Sequence, residues 1–142
     1  TGADGKGDFN LMTSARVADL VRERVPPDGR LLVFGFEPIV NWLARRPAPT
    51  RFSFDYPLTF TPRSARAARW RERWRDEFLA DLRERPPEMV LLVDNDVSPL
   101  EPVPSLRQAN EWPQFRDWLR ASYEQVGTLE DFYVLARRTP GL

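Results

Sequence analysis

The sequence predicts an α/β fold: a three-layer, Rossmann-like, mostly parallel sheet with helices on both faces and a C-terminal antiparallel hairpin. Two continuous apolar runs, residues 31–36 and 89–93, lie between segments with helical periodicity. Short runs of this kind are typical of strands buried on both faces. Strands that alternate with helices imply right-handed crossovers and parallel pairing. A length of 142 residues suits one domain with one core.

The first elements are a linker and a helix. Residues 1–13 predict a flexible linker, because their first ten positions are rich in Gly and Asp, and residues 14–142 predict a single domain. Thr13 or Ser14 is expected to cap a helix. Its apolar positions recur at helical spacing: Val17, Leu20, Val21 and Val25. The sequence Pro26-Pro27-Asp28-Gly29 ends it, since Pro cannot continue the helical hydrogen bonds.

The middle of the chain predicts a short helix, a strand and a long helix. Pro38 opens the short helix, which ends at residues 45–47. Residues 51–56 alternate as a strand does, with Phe52 and Phe54 on one face. The long helix, residues 62–85, is expected to start at Thr61-Pro62. Its aromatic residues form one stripe: Trp70, Trp74 and Phe78.

The last third predicts a strand, a helix and a hairpin. The strand at residues 89–93 leads into a loop rich in Pro, and Trp112-Pro113 begins a helix with Phe115, Trp118 and Leu119 facing inward. Residues 123–129 and 132–138 are separated by about two residues. Such a short connection predicts an antiparallel hairpin at a sheet edge.

The composition excludes most catalytic schemes, and the sequence contains no recognisable cofactor-binding motif. The chain has no Cys and no His, so thiolate chemistry, a Ser-His-Asp triad and a His-zinc site are excluded. The first strand-to-helix turn, residues 34–38, has Gly35 as its only glycine, whereas a dinucleotide fingerprint needs three. The formal net charge of zero argues against nucleic acid as a partner. We expect no catalytic residue, no cofactor and no metal ligand in this chain.

Polar side chains follow both predicted buried strands and form a candidate ligand-binding set: Glu37, Asp94, Asn95 and Asp96. Open α/β sheets bind ligands at the carboxyl ends of their strands. Three carboxylates converging there could hold a divalent cation, which prefers oxygen ligands. In the alternative interpretation, Glu37 and Asp94 cap the following helix or turn and Asp96 is solvated.

Residues 63–75 carry six Arg and one Glu. Together with Trp70 and Trp74, this predicts a basic amphipathic helix at an anionic membrane surface. The candidate membrane-surface residues are Arg63, Arg66, Arg69 and Arg73. In the alternative, the tryptophans face the core and the arginines form a solvated face; the two interpretations are compatible if only the arginines face lipid. No apolar stretch approaches the roughly 20 residues of a spanning helix.

The order of these segments resembles the C-terminal soluble domain of bacterial polytopic glycosyltransferases related to protein O-mannosyltransferases and the lipid A aminoarabinose transferase. The resemblance covers residues 14–138. It includes the helix at 17–24, the turn at 26–30 and the segment Leu32-Val33-Phe34-Gly35-Phe36-Glu37-Pro38. The helix at 39–43 with its Ala-Arg-Arg-Pro end also matches, as do residues 78–82, 86–93, 115–119, Tyr123 and 132–138.

The resemblance implies a function for a parent protein. Such a parent moves a sugar from a polyprenyl-phosphate donor to an acceptor outside the cytoplasm, with its catalytic acidic residues in an early extracytoplasmic loop. This chain would then be a non-catalytic extracytoplasmic domain that assists acceptor or partner recognition. Its partners would be its own N-terminal transmembrane region and the membrane surface. Because the chain starts at Thr1, we expect it to be part of a longer protein.

Two further hypotheses remain from the residues. One is a standalone Rossmann-like enzyme, or a metal- or nucleotide-binding domain, that uses Glu37, Asp94 and Asp96. The other is a peptide- or saccharide-binding module. Its binding surface would consist of exposed aromatic residues near the loop at 97–104, with Trp112 among them.

Overall fold

A computed structural model describes residues 11–99 and 102–139. Within these ranges the first half of the chain forms α1 (Leu11–Arg24), β1 (Leu31–Phe34), α2 (Ile39–Ala44), α3 (Tyr56–Thr59) and α4 (Ala65–Glu84). The second half forms β2 (Met89–Val93), α5 (Ser105–Asn110), α6 (Pro113–Ser122), β3 (Tyr123–Leu129) and β4 (Phe132–Arg137).

The four strands form one mixed sheet in the order β1-β2-β4-β3. Strands β1 and β2 are parallel, with Leu31 opposite Met89, whereas β2–β4 and β3–β4 are antiparallel. The predicted α/β class and the C-terminal antiparallel hairpin are therefore confirmed. The mostly parallel, Rossmann-like sheet is wrong, because β4 occupies the place beside β2 that a third parallel strand would need.

The sheet carries a hydrophobic cluster on each face, as the alternation of side chains along a strand requires. On one face, Leu32, Phe34, Val90 and Leu92 pack with Phe78 of α4 and with residues of α5 and α6. On the other face, strand residues such as Leu31, Val33 and Leu91 pack with α1 and α2. Helices thus contact both faces of a sheet that is only partly parallel.

The predicted strand at residues 51–56 is not a strand. The segment bends, and α3 begins at Tyr56 with Pro57 in its first turn. Phe52 is 8% exposed and belongs to the core, whereas Phe54 is 42% exposed, so the two rings do not share a buried face. Pro57 has no backbone N–H for a strand ladder but fits the start of a helix, which favours the helical turn.

Two predicted helix starts are also wrong. Helix α1 already includes Leu11, so Thr13 and Ser14 lie inside the helix and do not cap it. Residues 1–10 of the predicted linker lie outside the described ranges. Helix α4 begins at Ala65 rather than after Thr61. Ser64 is its N-cap, and the Ser64 Oγ accepts a hydrogen bond from the Ala67 N–H at 3.0 Å. Among the described residues, no helix combines the length and apolar character that crossing a bilayer requires.

Candidate functional site

The carboxyl ends of β1 and β2 lie side by side because these strands are parallel. The turn after β1 approaches β2 closely at Gly35. A Cβ at this position would lie 2.4 Å from Val93 Cγ2 and 2.9 Å from an Asp96 carboxylate oxygen. The absence of a side chain at Gly35 therefore lets the two strand ends meet, and it brings the predicted acidic residues of both loops to one edge of the sheet.

Asp96 joins three segments at this edge. Its Oδ1 accepts a hydrogen bond from the Ser105 N–H at 2.8 Å, and its Oδ2 accepts from Ser105 Oγ at 2.5 Å and from the Phe36 N–H at 3.2 Å. Burial raises the pKa of Asp96, and the bonds from Ser105 and Phe36 oppose that shift. Asp96 is thus an acceptor at the start of α5, and the expectation that it is solvated is wrong.

Glu37 lies next to Asp96 in a different environment. Its Oε2 is buried and accepts no hydrogen bond from the described residues. Burial is the main cause that raises the pKa of Glu37, followed by the negative charges of Asp96 and Asp131. The N-cap of α2 is Pro38, which makes no side-chain bond. Glu37 therefore has no capping role and is the least satisfied carboxylate at this edge.

Asp94 and Asn95 attach the end of β2 to the hairpin turn. The Asp94 N–H donates to the Asp131 carbonyl at 2.8 Å, and Asn95 Nδ2 donates to Asp131 Oδ1 at 3.1 Å. Asp94 Oδ1 accepts from the Asn95 N–H at 2.9 Å, and Asn95 has a φ of 60°. Asp131 was missed in the sequence because its only local signal was a turn between two strands, and its partners depend on the strand order.

The predicted convergence of Glu37, Asp94 and Asp96 on one crevice is thus only partly formed. Glu37 and Asp96 interact, and Asp131 adds its charge, while Asp94 faces the hairpin. Within residues 11–99 and 102–139, no group of three or more acidic side chains is placed to hold a metal ion. Ligand binding by Glu37, Asp94, Asn95 and Asp96 stays a prediction. The hydrogen bonds of Asp94, Asn95 and Asp96 connect parts of the fold and do not test whether a ligand binds.

The six arginines of residues 63–75 divide into two sets. Arg71 and Arg75 face inward, where Arg71 Nη1 donates to the Phe60 carbonyl at 3.2 Å and Arg75 Nε to the Leu58 carbonyl at 2.7 Å. Burial, followed by the charge of Arg71, lowers the pKa of Arg75. The outward set is exposed and forms no ion pair with any described residue: Arg63, Arg66, Arg69 and Arg73.

The aromatic stripe of α4 passes from solvent to core. Trp70 is 41% exposed, Trp74 is partly buried, and Phe78 is buried. The Trp70 ring lies 5.7 Å from that of Trp74, and the Arg73 guanidinium lies 4.9 Å from the Trp70 ring centre. The alternative in which both tryptophans face the core is wrong for Trp70, because every buried residue of α4 lies in its second half.

Other exposed aromatic residues border shallow hollows. Phe36 and Phe54 stack with ring centres 5.8 Å apart. Phe54 also borders a cleft of ≈ 230 Å³ lined by Arg51, Phe52, Ser53, Phe54, Pro57 and Trp74. A larger hollow of ≈ 610 Å³ lies beside α2, where Trp42 is exposed. Trp112, the aromatic residue named for saccharide binding, is instead 2% exposed and packs in the core.

The fold therefore defines an α/β domain with a mixed sheet. The polar residues that follow its parallel strands mainly form hydrogen bonds within the domain. No protein-family model and no curated protein sequence matches the chain. Among solved structures, it is similar to the C-terminal globular domain of an oligosaccharyltransferase, AfAglB-S2, from Archaeoglobus fulgidus. The similarity has 10% sequence identity and a TM-score of 0.47, and it covers 92% of this chain and 100% of the archaeal one. No residue role is transferred from it.

Proposed function

We propose that this chain is a non-catalytic extracytoplasmic domain of a bacterial membrane glycosyltransferase of the type that the sequence resembles. The parent transfers a sugar from a polyprenyl-phosphate donor, and the domain assists recognition of the acceptor or of a partner. The domain acts next to the transmembrane region of that parent protein. The catalytic acidic residues of the parent lie in an early extracytoplasmic loop beside the membrane spans, outside this domain.

The place of the matching segments in the fold carries this proposal. The segment at 32–38 contributes β1, the segment at 86–93 contributes β2, and residues 132–138 contribute β4. Most apolar positions of these segments are core residues, for example Phe34, Leu91 and Val134, whereas Phe36 is exposed. A resemblance made of core residues supports a shared domain architecture.

The test is glycosyl transfer by membranes that contain the full-length gene product. We expect a deletion of the present domain to reduce acceptor modification while the truncated protein still inserts into the membrane. The isolated domain should transfer no sugar from a polyprenyl-phosphate donor. A gene with no multi-span segment upstream of Thr1, or a deletion that leaves transfer unchanged, contradicts the proposal.

A second candidate is ligand binding at the Glu37–Asp96 edge, favoured by the buried Glu37 Oε2 without a hydrogen-bond partner. Carboxylates with pKa values raised by burial and by a like charge are enriched at functional sites. Calorimetric titration with magnesium, manganese, a nucleotide and S-adenosylmethionine tests it. A binding heat that Glu37→Gln abolishes and exposed Glu124→Gln preserves supports the site, and no heat with any of the four removes it.

A further inference from the structure

A basic and aromatic face lies at the start of α4. Arg66, Arg69, Trp70 and Arg73 belong to the first half of the helix, and Arg63 precedes its N-cap, Ser64. Residues three, four and seven apart lie on one side of a helix, so Arg66, Arg69, Trp70 and Arg73 share this face. Arg66 and Arg73 are separated by about 10 Å along the helix axis. The five side chains are exposed to solvent.

Contacts with the rest of the protein hold this part of α4 in place. On the side opposite the basic face, Arg71 and Arg75 donate to carbonyls of the α3 segment. Beside Trp70, the Trp74 ring lies 6.3 Å from that of Phe60. The helix that presents this face is therefore held in place before any partner binds. Docking does not require this segment to fold, which lowers its conformational-entropy cost.

We propose that this face docks the domain on an anionic phospholipid surface. The four outward guanidinium groups have no acidic partner in the described part of the chain, so their charge is available to lipid phosphates. Trp70 lies among them with its indole partly exposed, and indole rings prefer the membrane interface, where one part of the ring is apolar and the other polar.

The distribution of charge argues for this orientation. Residues 63–75 hold six Arg and one Glu, whereas residues 76–84 hold Asp76, Glu77, Asp81 and Glu84 with Arg83 as the only base. Because the chain as a whole has a formal net charge of zero, attraction to anions depends on a local excess of positive charge such as the one at this helix end. An anionic surface would attract the first half of α4 and repel the second half. Docking of this face adds a partner surface to the proposed function. It rests on the proposed function in one respect, since a membrane must lie within reach of the domain.

The test measures binding of the purified chain to phosphatidylcholine vesicles with and without phosphatidylglycerol. We expect binding only to the anionic vesicles, and weaker binding at high salt because salt screens exposed charges. Each basic residue near such a surface contributes about fivefold in affinity. The triple variant Arg66→Gln/Arg69→Gln/Arg73→Gln should therefore bind about a hundredfold more weakly.

Matched variants distinguish vesicle binding through this face from binding caused by net charge or by nonspecific hydrophobic contact. Arg24→Gln/Arg83→Gln/Arg120→Gln removes three exposed arginines elsewhere and should bind within about fivefold of the unmodified chain. Trp70→Ala should weaken binding on the order of tenfold, whereas Trp42→Ala, at another exposed tryptophan, should not.

Three outcomes overturn the proposal: equal binding to neutral vesicles, equal loss in both triple variants, or equally strong binding to duplex DNA. Circular dichroism of each variant establishes that it is folded. A failure here leaves the sugar-transfer experiment unaffected, because that experiment does not depend on vesicle binding by the isolated chain. Conversely, vesicle binding with no effect of domain deletion on transfer would contradict the proposed function alone.

Discussion

Tyr123 shows how one buried polar group connects distant parts of the chain. It begins β3, its ring lies 4.9 Å from that of Trp118, and its hydroxyl donates to the Pro87 carbonyl at 2.5 Å. Burial raises the pKa of the Tyr123 hydroxyl, which therefore remains protonated and a donor. The bond joins the hairpin to the turn that precedes β2.

Tyr123→Phe should lower the free energy of unfolding by about 1–2 kcal/mol, because the Pro87 carbonyl loses its donor inside the protein. Urea denaturation measures this difference. Tyr133→Phe is the matched control, since no described residue accepts a bond from its hydroxyl, and it should be nearly neutral. Equal effects of the two substitutions would show that the Tyr123 hydroxyl contributes nothing.

Arg46 is a residue whose role the sequence did not predict. The sequence indicates only that Arg46 belongs to the Arg-Arg-Pro end of α2. In the structure its guanidinium is buried and donates to the carbonyls of Val25 and Ala44 at 2.9–3.1 Å. These carbonyls lie at the ends of α1 and α2, where backbone acceptors lack helical partners. Local spacing cannot identify such a role, because Val25 lies 21 residues away.

At the scale of single elements, the residue that caps α4 differs between the sequence prediction and the structure. Both Thr61 and Ser64 are residue types that cap helices, and Pro62 favoured the first. The structure uses Ser64, whose backbone is extended with a φ of −154° and a ψ of 161°. This backbone conformation places Oγ over the free N–H groups of the first turn, which composition alone cannot show.

Ser64→Ala should therefore cost about 1 kcal/mol of unfolding free energy, the usual contribution of an N-cap hydroxyl. Thr61→Ala is the control at the position that the sequence favoured, and it should change stability by less than about half that amount. Thermal unfolding of both variants measures the contrast. A larger loss in Thr61→Ala would place the cap three residues earlier than the structure does.

At the scale of the whole molecule, Glu37 makes stability depend on pH. Burial and the charges of Asp96 and Asp131 raise its folded-state pKa above 4.5, its ordinary value. Between these two values the folded state binds more protons than the unfolded one, so stability falls as pH rises through this interval. Above the raised pKa the full cost of the charged carboxylate is present.

Glu37→Gln removes this cost and should raise the free energy of unfolding at pH 7. The gain should shrink as pH falls and vanish below about pH 4, where the natural side chain is protonated in both states. Denaturant unfolding across this pH range measures it. Glu23→Gln, at an exposed position, is the control for the loss of one carboxylate and should not raise the free energy of unfolding at pH 7 by a comparable amount. A gain of the same size at every pH would exclude the titration of Glu37 as its cause.

The sequence by itself determined the two buried strands, the helices α1, α2, α4 and α6 and the final hairpin, but not α3 or α5. These features follow from local signals: continuous apolar runs, helical spacing, prolines and a short turn. It also determined which residues follow the strand ends, although the bonds that Asp96 makes to Phe36 and Ser105 required the fold.

Only the tertiary structure decided the strand order, the bend at residues 51–56, the exposure of Trp70 and the partners of Asp131. Each depends on which segments become neighbours, and neighbours far apart in sequence are chosen by packing of the whole core. The hairpin lies beside β2, so its turn meets Asp94 and Asn95, and the sheet becomes mixed. Helical spacing placed Trp70 on a stripe with Trp74 and Phe78, but only the extent of the core decided where that stripe leaves the protein interior.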